Sequence, residues 1–275
     1  MCRQVPVVTP SSADQPVVAL VVAYDGARFS GFARQPGQST VQGCLETSLS
    51  TVLRREVLTV GAGRTDSGVH ALGQVVSFPA ADELPPAEEL LRSLNAMTRG
   101  MVVRSVRLAR PGFSARFDAL RREYRYRLSV SPVPPLFSAA LAWWVKREID
   151  IEAMRDAAAL LVGEHDFRSF CVTESGLGKT TVRSVECIDI AEEHALGESF
   201  LTVRVVGNAF LHSMVRTIVG SLVEVGVGRR TPEWLGEVLA AQDRSVAGPT
   251  APAQGLVLWS VEYADEVWLD GGSTG

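Results

Sequence analysis

One stretch of this sequence concentrates the residues best suited to chemistry: Gly61-Ala62-Gly63-Arg64-Thr65-Asp66-Ser67-Gly68-Val69-His70. Its glycines open φ > 0 to the backbone and let a ligand approach closely. The apolar Val57 to Val60 reads as a short strand and the alternating Gln74 to Phe78 as another, so Asp66 falls on a loop between strands. An ionised carboxylate placed there can attack an anomeric or electron-poor carbon, or remove a proton. Arg64, two positions earlier, is expected to pair with it and favour its charged form. As a plain surface ion pair it would contribute little. Asp-Ser-Gly is also an ordinary turn tripeptide, in which Asp bonds its own downstream backbone. A phosphate cradle is the weaker alternative, because no Gly-Lys-Ser/Thr follows.

Arg216 is the second residue of interest. It lies in an apolar helical pattern spanning Ala209 to Val227, with His212 one turn before it and Gly220 one turn after. A buried guanidinium left without a partner costs about 3–5 kcal/mol. No acid stands at either neighbouring turn, which makes Asp66 a natural partner, with core carbonyls as the structural alternative. Tyr124 and Tyr126 alternate with Arg125 and Arg127, so the two rings share one strand face and the two arginines the other. The plain reading of that pattern is a core-facing aromatic pair with solvated arginines.

The same region is locally basic. Between Arg99 and Arg127, the arginines at 104, 107, 110, 116, 121, 122, 125 and 127 meet only Asp118 and Glu123. Arginines among aromatics suit backbone phosphates and unstacked bases, and Arg116, Arg121, Arg122 and Arg34 are the expected polyanion contacts. Arg28, Lys179 and Arg183 would extend the track.

The elements that must position these groups can be read in order. Val17 to Tyr24 is β-branched and apolar, as in a strand buried on both faces. Phe29 to Pro36 reads as an exposed loop of aromatics and bases. Thr40 caps a helix carrying Val41, Cys44, Leu45, Leu49 and Leu53, with Arg54-Arg55 in its last turn. Pro85-Pro86 introduces a second helix, and Val102 to Leu108 alternates like a half-exposed strand. Strand, helix, strand, strand, helix, strand is the order of a ferredoxin-like unit. Similar elements then recur: a strand from Glu123, a helix from Ile151 to Leu161, a glycine-rich loop Ser175 to Lys179, strands Val182 to Ile190 and Phe200 to Val206, the Arg216 helix, and a closing strand Gly255 to Tyr263.

The expected fold class is therefore α/β (α+β): two ferredoxin-like halves forming a pseudo-symmetric, mainly antiparallel sheet flanked by helices, with the active-site cleft between them. Residues 1–16 are expected as a disordered tail, 17–113 as the half carrying the Asp66 loop, 114–265 as the second half and 266–275 as a flexible tail.

Composition narrows the function. The 275 residues, 46% hydrophobic and 21% charged, suit a soluble globular protein. A net charge of −4 means that any polyanion is met by a local patch. Cys2, Cys44, Cys171 and Cys187 stand at unrelated spacings, which argues against a metal centre or disulfide framework and for a reducing compartment. The longest apolar run, Val17 to Ala23, is too short to span a bilayer, and a cytoplasmic protein is expected.

The residue string goes further. Gly63-Arg64-Thr65-Asp66 followed by Gly68-Val69-His70-Ala71 closely resembles the catalytic motif of tRNA pseudouridine synthases of the TruA type. Tyr24-Asp25-Gly26, Thr40-Val41-Gln42, Ala115-Arg116-Phe117, Tyr124-Arg125-Tyr126 and Val215-Arg216 with Val219-Gly220-Ser221-Leu222 resemble further family signatures, in order, from about Val17 to Tyr263. The resemblance implies a homodimer without a cofactor that isomerises uridine to pseudouridine at positions 38, 39 and 40 of the tRNA anticodon stem-loop. It makes Asp66 the catalytic carboxylate, Arg216 its neighbour, and Tyr124 the residue that stacks a flipped base, by roughly 1–3 kcal/mol. Ester formation at C1′, addition at C6 and proton removal at C2′ are all open to Asp66. The chain departs from the family at Phe32, where Trp is usual, and at Asn95 to Met101, which lacks the usual Leu-Pro-x-Asp.

Two other classes compete. A non-catalytic RNA-binding protein would use the same basic track without needing Arg64, Asp66 and Arg216. An N-glycosidic hydrolase would want a second positioned acid, and none stands near Asp66.

Overall fold

The computed structural model describes residues 15–81, 83–172, 180–195 and 197–269. Its elements are β1 (Val17–Tyr24), α1 (Val41–Leu53), β2 (Val60–Gly61), β3 (His70–Pro79), α2 (Ala87–Met97), β4 (Met101–Ala109), β5 (Arg121–Val130), β6 (Trp143–Val145), α3 (Ile151–Ala159), β7 (Gly163–Asp166), β8 (Val182–Ala195), β9 (Glu198–Gly207), α4 (Met214–Gly226), α5 (Trp234–Ala241) and β10 (Leu256–Glu262).

Pleat alternation explains how one sheet serves two surfaces. In β1, Val18, Leu20, Val22 and Tyr24 join the main core with Leu45 and Leu49 of α1 and Leu90 and Leu94 of α2. Val17 and Ala19 point the other way, into a small cluster closed by Phe113, Tyr263 and Val267. The same main core takes Tyr124, Tyr126 and Leu128 of β5 with Ile218, Val219 and Leu222 of α4. Helices of both halves therefore cover one sheet face over a continuous core.

The sheet runs β4-β1-β3-β10-β5-β9-β8-β7, with β2 paired to β3 and β6 to β5. Each half follows the same internal order of fourth, first, third and second strand: β4-β1-β3-β2 and β10-β5-β9-β8. This is the mainly antiparallel, two-unit sheet expected from the element order. The halves meet at β3, whose edge is shared. β10 pairs in parallel with His70 and Ala71, while β2 pairs with Val76 and Ser77.

Several local expectations need correction. Phe29 and Phe32 do not sit in an exposed loop; they are buried, and Phe32 packs tightly on Gly61. Helix α1 has Thr40 as its cap, as expected, but ends at Leu53, with Arg54 left-handed at φ 52°. Helix α4 starts at Met214 rather than Ala209, because Ser213 takes a left-handed φ of 59°. Residues 266–269, assigned to a flexible tail, are packed: Val267 is buried, Trp268 forms a bridge to Ala109, and its ring lies 5.4 Å from that of Phe113. Most of the two expected tails, residues 1–14 and 270–275, lies outside the described residues, as does the glycine-rich loop 175–179 with Lys179.

Candidate active site

The Asp66 loop leaves β2 and returns as β3, so it occupies the seam between the halves. Its backbone is fixed by residues from both of them. Ala62 N donates to Val75 O (2.8 Å), Phe32 N to Thr65 O (3.1 Å), Gln74 Nε2 to Gly63 O (2.9 Å) and Arg122 Nη2 to Ala62 O (3.0 Å). A turn closes where Val69 N donates to Asp66 O, with Gly68 at φ 81°. At the far end Gly26 N donates to His70 Nδ1. Burial lowers the His70 pKa, which suits a neutral ring with Nδ1 as acceptor. Beneath the loop, the Tyr24 hydroxyl and Thr65 Oγ1 share a 2.8 Å hydrogen bond. Burial pushes the Tyr24 phenol up to about 12, so it keeps its proton at neutral pH.

The Asp66 carboxylate, 20% exposed, is gripped by the segment that enters α4. Arg216 Nη1 donates to Oδ2 at 2.7 Å and Ser213 Oγ donates to Oδ2 at 2.9 Å. His212 Nε2 lies 3.1 Å from Oδ1. No hydrogen bond joins this carboxylate to its own loop among the described residues, so the turn at Asp66 is closed by its backbone carbonyl and not by its side chain. Arg216 is 18% exposed, and its Nε donates to Ala251 O at 2.8 Å. It thus combines an ionic partner with a carbonyl partner, and the expected Asp66–Arg216 pairing is present.

The other expected site residues divide. Arg64 is exposed and forms no ion pair among the described residues, so the expectation that it neutralises Asp66 is corrected. The cation on Asp66 comes instead from Arg216 of the other half. Arg122 is not a surface contact. It is buried, and its guanidinium donates to the carbonyls of Ala62, Arg116, Ala119 and Asn208, tying the Asp66 loop to the second half. Arg121 reaches Glu186 (3.5 Å) and Glu262 (3.3 Å). Arg110 pairs with Asp118, Arg125 with Glu123 and Arg127 with Glu193. Of the segment's arginines, Arg121 and Arg127 are thus matched by acids of β8 and β10, and Arg110 and Arg125 by acids of the segment itself. Arg116 is exposed, with its guanidinium 5.3 Å from the Phe117 ring centre. Arg34 is exposed and lies 3.4 Å from Glu46.

Tyr124 lies on the site side of β5, 8% exposed, with its ring edge-on to Phe210 at 5.2 Å. Its hydroxyl stands near Gly63 and bonds no protein atom among the described residues. Burial raises its pKa well above the ordinary tyrosine value, with Tyr24 and Asp66 adding to the effect, so it is a neutral donor. Ser213 and Phe210 were not singled out by sequence. Their signal was their place in the string Asn208 to Arg216, just ahead of the helix that holds Asp66.

A sequence model of the tRNA pseudouridine synthase family matches residues 20–118 and 157–264, one stretch in each half. Asp66 lies in the first stretch and Arg216 in the second. Similar curated proteins are named tRNA pseudouridine synthase A. That of Brevibacillus brevis is 45% identical over 243 residues, 88% of this chain and 98% of its own. That of Paraburkholderia phytofirmans is 43% identical over 94% of each chain, and that of Thermotoga neapolitana 40% identical over 90% of this chain and 99% of its own. With the matched stretches bracketing the ion pair at the seam, and relatives aligned over nearly their whole length, this chain belongs to the tRNA pseudouridine synthase family.

Proposed function

We propose that this protein isomerises uridine to pseudouridine in tRNA, with Asp66 as the catalytic carboxylate. The observation that carries the reading is the Asp66–Arg216 pair: a partly exposed carboxylate at the seam, held by a cation that is itself fixed to the Ala251 carbonyl. The target uridine leaves its stack and enters beside Tyr124 and Phe210, where aromatic edges and a neutral hydroxyl face it. Asp66 acts on the ribose or the uracil while the C1′–N1 bond breaks. The base turns, C1′ bonds to C5, the C5 proton is lost and N1 gains one, so the composition of the nucleotide is unchanged.

Arg64 and Arg116, exposed and without carboxylate partners among the described residues, are the proposed contacts to the RNA backbone, and Arg34, exposed and 3.4 Å from Glu46, is a third. Positions 38, 39 and 40 of the anticodon stem-loop and a homodimeric state complete the proposal as the family resemblance implies, with a cytoplasmic location as the composition and cysteine usage imply. No described helix is long and apolar enough to cross a membrane.

tRNA tritiated at uridine C5 tests the reading. The intact protein is expected to release tritium to water, and Asp66→Asn to release none while still binding tRNA. Binding without release by either protein would favour the RNA-binding alternative. Free uracil in the mixture would favour the hydrolase. Release by both would place the chemistry on another carboxylate.

A further inference from the structure

The two oxygens of Asp66 are held very differently. Oδ2 receives Arg216 Nη1 and Ser213 Oγ, as many donors as it has lone pairs. Both donors are fixed. Arg216 is mostly buried and also tied to Ala251 O, while Ser213 sits in a left-handed conformation and accepts Thr217 N through its carbonyl. A serine at positive φ is sparsely populated, and such strain persists only where surroundings impose it. Here it aims Oγ at Oδ2 rather than at the free N–H groups of α4, which has no side-chain cap.

Among the described residues Oδ1, by contrast, meets only His212 Nε2, at 3.1 Å, and that side chain is 52% exposed. The imidazole side chain has no other hydrogen-bond or ionic partner among the described residues. A contact made by an exposed side chain, an ion pair only when the imidazole is protonated, is weakly held, whereas a partly buried ion pair with an added backbone bond is not. Substrate can therefore reach Asp66 at Oδ1 without dismantling the grip on Oδ2.

We propose that Oδ1 is the oxygen of Asp66 that meets the uridine, and that His212 is a positioning residue that covers it in the free enzyme and is displaced by substrate. Ser213 has the complementary part of holding Oδ2 so that Oδ1 faces the cleft. This rests on Asp66 being the reacting carboxylate.

Steady-state tritium release from C5-tritiated tRNA, measured for His212→Ala, His212→Gln and Ser213→Ala, tests it. Removing a weak competitor should raise kcat/KM for His212→Ala by about two- to five-fold, through a lower KM. His212→Gln keeps an N–H within reach and should return KM toward the wild-type value. Ser213→Ala should lower kcat by about three- to ten-fold with little change in KM, as the carboxylate loses one of its holds. A fall or no change in kcat/KM for His212→Ala, or an unaltered kcat for Ser213→Ala, overturns the proposal. An inactive wild-type protein, or an active Asp66→Asn, would instead sink the functional reading on which it stands.

Discussion

At the residue scale, the arginines separate by what their guanidinium groups touch. Arg122 donates to carbonyls on both sides of the seam, so removing it orphans buried acceptors. Arg122→Met should cost about 3–5 kcal/mol of stability in urea unfolding. Arg64→Ala should leave stability within about 0.5 kcal/mol and instead weaken tRNA binding or turnover. A destabilised Arg64→Ala with normal activity would reverse the assignment. The Asp66–Arg216 pair was legible in the sequence because an arginine in an apolar helix needs a distant anion. Arg122 could also have been read: it shares the strand parity of Tyr124 and Tyr126, and so faces inward with them. Counting it with the surface arginines ignored that parity. The partner assigned to Arg64 failed for a different reason, since loop residues two apart need not share a face.

At the element scale, α4 carries the site because it can approach the chain around Pro249 very closely. A Cβ at Gly220 would lie 1.8 Å from Pro249 O. Arg216 O accepts Ala251 N in the same contact, and Tyr126 Oη donates to Pro252 O. Gly220→Ala should therefore push this loop away, with a stability loss of about 1–3 kcal/mol or more in thermal unfolding and a matching fall in activity. An alanine variant with wild-type Tm would mean that the loop yields freely. The existence of α4 was plain from its apolar period, but its start was not. Phe210 and Leu211 continue that period, while the backbone breaks at Ser213, whose hydroxyl serves Asp66 instead of capping the helix. A demand from elsewhere in the fold overrode the local pattern, and no reading of the segment alone contains it.

At the scale of the whole molecule, sheet neighbours rewrite the charge map. A tally along residues 99–127 suggests a dense basic track, yet Glu186, Glu193 and Glu262 arrive from β8 and β10 to pair with it. Among the exposed arginines of the track and the Asp66 loop, Arg64, Arg99, Arg104 and Arg116 pair with no carboxylate among the described residues. If those four meet phosphates, the logarithm of tRNA affinity should fall against the logarithm of salt with a slope of about −3 to −4. A slope near −8 would mean that the paired arginines exchange their acids for RNA. The two-unit, mainly antiparallel sheet was anticipated from the succession of elements, because each half repeats one supersecondary unit. The join between them was not, because parallel pairing of β10 with two residues of β3 leaves no mark in either strand. That join also sets a timetable. The strand that locks the halves together follows nearly all the chain with which it pairs, and the loop that anchors Arg216 comes just before it. On the ribosome, Asp66 and Arg216 are both made well before the piece that fixes their spacing. Until β10 emerges, the inner edges of β3 and β5 stand open to any passing strand. The centre is therefore completed at the end of synthesis, and premature termination before Leu256 would yield two half-built sheets rather than a weakened enzyme.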